Sequence, residues 1–112
     1  MINLFKKTLP LKMIERSISL KELGVENLAW KKEDALLVIQ HLMEQEKIIL
    51  GGDVYKIENK KIAHTCDSWF YQVNLQKTLK INVQESACIA AKFINNYFTR
   101  NGDFYCYAIV IN

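Results

Sequence analysis

Arginine is nearly missing from this 112-residue chain: only Arg16 and Arg100 among its 15 basic side chains carry a guanidinium. Because arginine is the preferred bidentate reader of phosphate and guanine, its scarcity counts against a nucleic-acid binder. Proline occurs once, at Pro10, and glycine four times. No flexible linker can be built from so few of either, and the length suits one domain spanning residues 1–112. Long apolar stretches are absent too. Runs such as Leu36-Leu37-Val38-Ile39 and Ala108-Ile109-Val110-Ile111 fall far short of the roughly 20 residues that cross a bilayer. The segment Thr8–Arg16 is broken by Lys12, Glu15 and Arg16 where an exported chain would carry an apolar h-region, so a cytoplasmic location is expected. Cysteine appears three times, at positions 66, 88 and 106, with no C-x-x-C pair. That spacing offers neither a disulfide framework nor a redox motif and predicts free, buried thiols in a reducing compartment.

What the chain does have is ordinary for a folded domain: 50% hydrophobic and 24% charged residues, with a net charge of +3. The charges are mixed along the sequence, ten basic and nine acidic up to residue 60 and five and three beyond it. A nucleic-acid interface would instead cluster its cations on one face.

Hydrophobic spacing locates the elements. Pro10 suits the first turn of a helix running to about Ile18, and Gly24 suits the end of a short helical turn within residues 17–25. Over Lys31–Glu46 the residues Ala35, Leu36, Ile39, Leu42 and Met43 recur at helical spacing and predict an amphipathic helix. From Ile48 to Glu58 the period changes to that of two short strands or one bent strand around Gly51-Gly52, with a turn at Asn59-Lys60-Lys61. Beyond it Ile62, His64 and Cys66 share one strand parity. Trp69, Tyr71, Val73 and Leu75 share the other, which places a bulge near Asp67-Ser68. Asn82 and Glu85 have capping-box spacing at the head of a second amphipathic helix carrying Val83, Ala87, Ala90, Ile94 and Tyr97 and ending near Phe98. The run from Phe104 to Ile111 is apolar on both parities, as in a central strand covered on both faces. Together these predict an α+β fold: a predominantly antiparallel sheet of four to five strands, two long amphipathic helices and a short N-terminal helix packed on it.

Catalytic constellations are thin. His41 and His64 are the two histidines, and neither sits in an evident nucleophile arrangement. His64 and Cys66 share a strand face and, with Asp67, form the set a small enzyme or ligand-binding domain would use. A zinc site, however, needs three or four ligands, so neither a metal nor a cofactor is expected. Gly51-Gly52 has two readings. It either lets backbone N–H groups approach an anion or permits a sharp bend or bulge; no Lys-Ser/Thr follows it as in a phosphate loop. Trp69 and Tyr71 fall on the inward parity, whereas Phe70 is left outside, either as ordinary surface or as the anchor of a protein interface.

Trp30 ahead of an amphipathic helix, the string Ile49-Leu50-Gly51-Gly52-Asp53-Val54-Tyr55, the segment Asp67-Ser68-Trp69-Phe70-Tyr71, the Glu85-Ser86 opening of the last helix and the closing apolar strand together resemble a family of small bacterial immunity proteins. These accompany polymorphic toxins and contact-dependent growth-inhibition toxins, and the resemblance covers about residues 20–111. It implies a non-enzymatic inhibitor that binds the C-terminal toxic domain of a cognate effector one to one in the cytoplasm and blocks its active site, without nucleic-acid or membrane partners. Were the toxin a nuclease, its cleft would be basic, and carboxylates on the inhibitor would complement it. Asp53, Asp67 and Glu85, each near the end of an element, are the contact candidates on that ground, with Phe70 as an apolar anchor. A net charge of +3 requires any such acidic surface to be local.

Overall fold

The computed structural model describes residues 1–112. Helix α1 (Ile2–Thr8) and helix α2 (Leu11–Glu15) are separated at Pro10, the N-cap of α2. The single helix expected to reach Ile18 stops early. Ser17 turns both its N–H and its hydroxyl onto the Ile14 carbonyl, at 3.1 and 2.5 Å, and Ile18 opens the two-residue strand β1 (Ile18–Ser19). A 3-10 turn over Lys21–Leu23 follows, closed by Gly24 at φ 73°, the left-handed cap expected there. Strand β2 (Leu28–Lys31) leads directly into helix α3 (Lys32–Glu44). Nothing in the hydrophobic spacing marks β2. Leu28, Ala29 and Trp30 are all buried, so the strand has no alternation to read.

In α3 the buried stripe is Ala35, Val38, Ile39 and Leu42, whereas Met43, expected on it, lies at its exposed margin. Residues 48–58 resolve into one long strand, β3 (Ile49–Glu58). Asn59 and Lys60, both at positive φ, form the tight turn to β4 (Lys61–Phe70). Helix α4 (Leu79–Asn101) starts a turn earlier than expected, because the Thr78 hydroxyl, not Asn82, accepts the capping bond from the Ile81 N–H at 3.2 Å. It also runs past Phe98: Thr99 and Asn101 bond back to the carbonyls of Asn95 and Tyr97, and Gly102 at φ 88° ends it. Strand β5 (Tyr105–Ile111) closes the chain.

All pairings in the five-stranded sheet are antiparallel, in the order β1-β2-β5-β3-β4. The doubly apolar last strand is therefore central, as its composition required. The helices cover one face, where 17 buried residues form the main core, among them Phe5, Trp30, Leu42, Val54, Trp69, Ile94, Tyr107 and Ile109. Trp30 meets Phe5 edge-on at 5.3 Å and donates its Nε1–H to the Met13 carbonyl at 2.8 Å, which ties α1 and α2 to the sheet. On the opposite face Leu20, Ala29, Tyr55, Cys106 and Ala108 form a smaller cluster, flanked by Ile18, Leu23, Val25, Ile57 and Ile62. The segment containing the 3-10 turn crosses this face as far as β4 and covers only part of it.

The bulge expected in β4 is there, but the strand parity does not change across it: Ile62 and His64 lie on the face away from the helices and Trp69 on the helix side, so the two apolar sets belong to opposite faces. Register shifts between Asp53↔Ser68 and Tyr55↔His64, and the extra residues bulge out at Cys66, whose φ is 66°. Thr65 locks the bulge: its hydroxyl donates to the Val54 carbonyl at 2.7 Å and accepts the Asp67 N–H at 3.1 Å. Past the bulge Trp69 faces the helices and pairs with Gly52. A Cβ on Gly52 would overlap the Trp69 indole and the Ala108 carbonyl, and one on Gly51 would overlap the Trp69 carbonyl. The glycine pair thus serves close packing between strands, not an anion. Leu75, expected on the same apolar face as Trp69, is exposed, because β4 ends at Phe70.

Gly52→Ala is expected to lower stability by about 3 kcal/mol through overpacking against immobile neighbours. Gly24→Ala meets nothing within 4 Å and should cost about 1 kcal/mol from its positive φ alone. Urea unfolding of the two variants checks this, and equal losses would contradict it.

Candidate functional site

Two of the four contact candidates share a surface. Residues in register point to the same side of a sheet, so Asp53, paired with Ala108 and Ser68, stands on the face away from the helices. Phe70, paired with Gly51, stands on that face too and is 78% exposed. The 3-10 segment covers the end of this face around Tyr55, Ile57 and Ile62, leaving the end with Asp53, Val110 and Phe70 open. The ion pairs of the protein engage Asp34, Asp103, Glu58 and Glu85. Asp53 is exposed and unpaired.

The other two candidates are occupied elsewhere. Asp67 accepts a 2.8 Å hydrogen bond from the Tyr97 hydroxyl of α4, which ties the β4 bulge to the helix layer. Burial pushes the Tyr97 phenol up to about 12, and the bond to Asp67 adds to the shift. Tyr97 also stacks on Phe93, which in turn lies 4.9 Å from Trp69, and meets Tyr105 and Tyr107 edge-on. Two polar atoms in this aromatic cluster, Trp69 Nε1 and the Tyr107 hydroxyl, are buried without a partner, so packing holds it together. Glu85 lies on α4 and binds Lys77 Nζ at 2.7 Å. The hydrogen bond and the charge of Glu85 raise the Lys77 pKa.

Lys77 belongs to a loop, residues 71–78, organised by a residue whose role the sequence hid. Asn82, taken as a helix cap, is buried inside the first turn of α4. Its Oδ1 accepts from the Tyr71 hydroxyl at 2.7 Å and the Asn74 N–H at 2.9 Å. Its Nδ2 donates to the Asn74 and Thr78 carbonyls at 2.9 and 3.0 Å. Asn74 in turn accepts the Gln76 N–H on its side chain. The usable signal was Thr78, an equally good cap four residues earlier, which frees Asn82 for the interior.

His64, Cys66 and Asp67 do not converge. His64 lies against Tyr55 on the open face at 5.4 Å between rings, Cys66 projects from the bulge, and Asp67 is held by Tyr97. No three His, Cys, Asp or Glu side chains come together as metal ligands. His41 bonds the Thr8 carbonyl through Nε2 at 3.1 Å and so joins α3 to α1. No helix is long and apolar enough to cross a membrane.

A family model described as Immunity protein 40 matches residues 19–111. The chain belongs to the Immunity protein 40 family. The match runs from the second residue of β1 to the last of β5 and so contains the 3-10 segment, α3, the Asn82 loop and α4, leaving α1 and α2 outside it. No curated protein and no solved structure is significantly similar to it. Membership in an immunity protein family implies a toxin-neutralising role through binding of a cognate toxin, and it points to a non-enzymatic protein.

The thiols of this Immunity protein 40 member differ from the buried set expected. Cys66 and Cys88 are exposed and Cys106 is buried under the 3-10 segment. Burial pushes the Cys106 thiol up to about 12, against an opposing pull from Lys31. A thiol reagent at pH 8 should therefore modify two cysteines in the native protein and all three in denaturant, counted by mass spectrometry. Rapid native labelling of Cys106 would contradict this packing.

Proposed function

We propose that this protein is a stoichiometric inhibitor that binds the C-terminal toxic domain of a cognate effector one to one. The effector would belong to a polymorphic toxin or contact-dependent growth-inhibition system, and binding in the cytoplasm would cover the toxin's active site. The observation that carries the reading is the family match over 93 of the 112 residues, positions 19–111. The uncovered end of the sheet supports it by supplying what an interface core requires: a rigid strand surface, an exposed aromatic at Phe70 and a free carboxylate at Asp53.

A nuclease is the toxin class this surface fits best. The protein as a whole is basic, at +3, and cannot act as a general mimic of nucleic acid. Asp53 is placed to meet one cation of a basic cleft while Phe70 and the surrounding sheet exclude water and substrate. Asp67 and Glu85 contribute through the positions they hold: Asp67 ties the β4 bulge to α4, and Glu85 restrains Lys77 within the loop.

Co-expression with the toxin domain encoded next to this gene should restore growth and yield a stable heterodimer. Phe70→Ala should weaken the complex roughly 30-fold, the scale of an interface hot spot. Asp53→Asn should mainly slow association and flatten its salt dependence. Absence of any complex at micromolar concentration would overturn the reading.

A further inference from the structure

The loop between β4 and α4 has features that packing alone does not require. Large apolar side chains crowd its surface: Phe70 at its start is 78% exposed, Leu75 at its tip 93%, and Leu79 and Ile81 at its end 54% and 40%. A mobile loop could carry such residues without consequence, but this one is not free to move. Four hydrogen bonds of 2.7–3.0 Å fix its path, two accepted by the buried Asn82 Oδ1 from Tyr71 and Asn74 and two donated by its Nδ2 to Asn74 and Thr78. Additional bonds from Gln76 N to Asn74 Oδ1 and from Lys77 N to the Asn74 carbonyl fix the tip. Tyr71, packed with Ile48 and Val83, anchors its base. An apolar side chain held rigidly in water gains nothing for the free fold. Docked in a pocket it binds with little further ordering cost, since its backbone is already fixed.

We propose that residues 71–78 are the specificity loop of the toxin complex, with Leu75 as an anchor that fills an apolar pocket on the cognate toxin. This rests on the toxin-binding reading above and names the part of the surface that selects the partner. Charge says where the pocket lies. Residues 70–84 carry Lys77 and Lys80 and no acid, and Lys77 is already paired with Glu85. The loop is therefore repelled by a basic cleft and fits a neutral or acidic apolar surface beside it, while the Asp53 end of the sheet faces the cleft itself. The loop directly continues the strand that displays Phe70, so both can engage one partner.

The test uses the full chain and a catalytically inactivated cognate toxin domain, with affinity read by calorimetry. Leu75→Asp is expected to weaken binding roughly 30-fold or more without moving the melting temperature. Leu11→Asp, at a similarly exposed leucine on α2 (71% exposed) outside the family match, should stay within about twofold. Asn82→Ala, if it folds, should lose affinity with Leu75 still present; if it does not fold, Leu75→Asp decides alone. A wild-type complex that Leu75→Asp leaves intact overturns the loop proposal but not toxin binding. A wild-type dimer that Leu75→Asp dissolves with toxin affinity unchanged overturns it in favour of a second copy of this chain. No wild-type complex at all overturns the toxin reading and the loop proposal together.

Discussion

The contact between the Trp69 indole and the bare backbone of Gly52 is the constraint on which the rest of this structure turns. Trp69 can enter the helix-side core only where the neighbouring strand offers no side chain, and Gly52 is that place. Placing Trp69 there fixes the register of β3 against β4 at that end. At the other end of the same pair Ile57 and Ile62 are opposite each other and flank the second cluster around Tyr55. The two pairings do not fit one continuous ladder. The bulge at Cys66, held by Thr65 and by the bond from Tyr97 to Asp67, reconciles them. Because strand parity is strict, Trp69 facing inward also forces Phe70 outward.

Burial on the two sides of the sheet is unequal, and that inequality defines the available surface. The helix side is closed by α1, α3 and α4, with Trp30, Met13 and His41 as the ties between layers. On the other side a single crossing segment protects Cys106, Ala108 and Tyr55 and stops short of Asp53 and Phe70. Beyond Phe70, Asn82 spends the full hydrogen-bonding capacity of a buried amide on shaping a loop. A half-satisfied buried amide would be costly, so this arrangement is rigid or it does not form.

Much of this was legible in the residues. The helix stripes, the central last strand, the turn at Asn59-Lys60, the cap at Gly24 and the bulge before Trp69 all follow from local sequence, which the fold preserved. The apolar residues on the two sides of the bulge, read as one face, belong to opposite faces because the bulge adds two residues and keeps the parity. The misreadings share a cause: tertiary contacts replaced local ones. Strand β2 shows no alternation because both its faces are covered. Asn82 looked like a cap because capping and interior bonding use the same side-chain oxygen, and only the nearness of Tyr71 and Asn74 distinguishes the roles. Leu75 continued the apolar parity of β4 on paper, but the strand ended at Phe70 when Tyr71 turned to meet Asn82. At the candidate site, the outward placement of Phe70 was readable from parity, whereas Asp53, read as lying near the end of an element, sits in the middle of β3. The engagement of Asp67 with Tyr97, 30 residues away, was not.

On the proposed toxin-binding reading, the Gly52–Trp69 register presents one continuous recognition surface, the Asp53 end of the sheet together with the loop shaped by Asn82. Amide hydrogen exchange of the full chain with and without its cognate toxin domain tests this most directly. Added protection confined to residues 50–55 and 68–81, with α1, α2 and α3 unchanged, is expected. Protection centred on α2 and α3, or confined to the segment around the 3-10 turn, would contradict it.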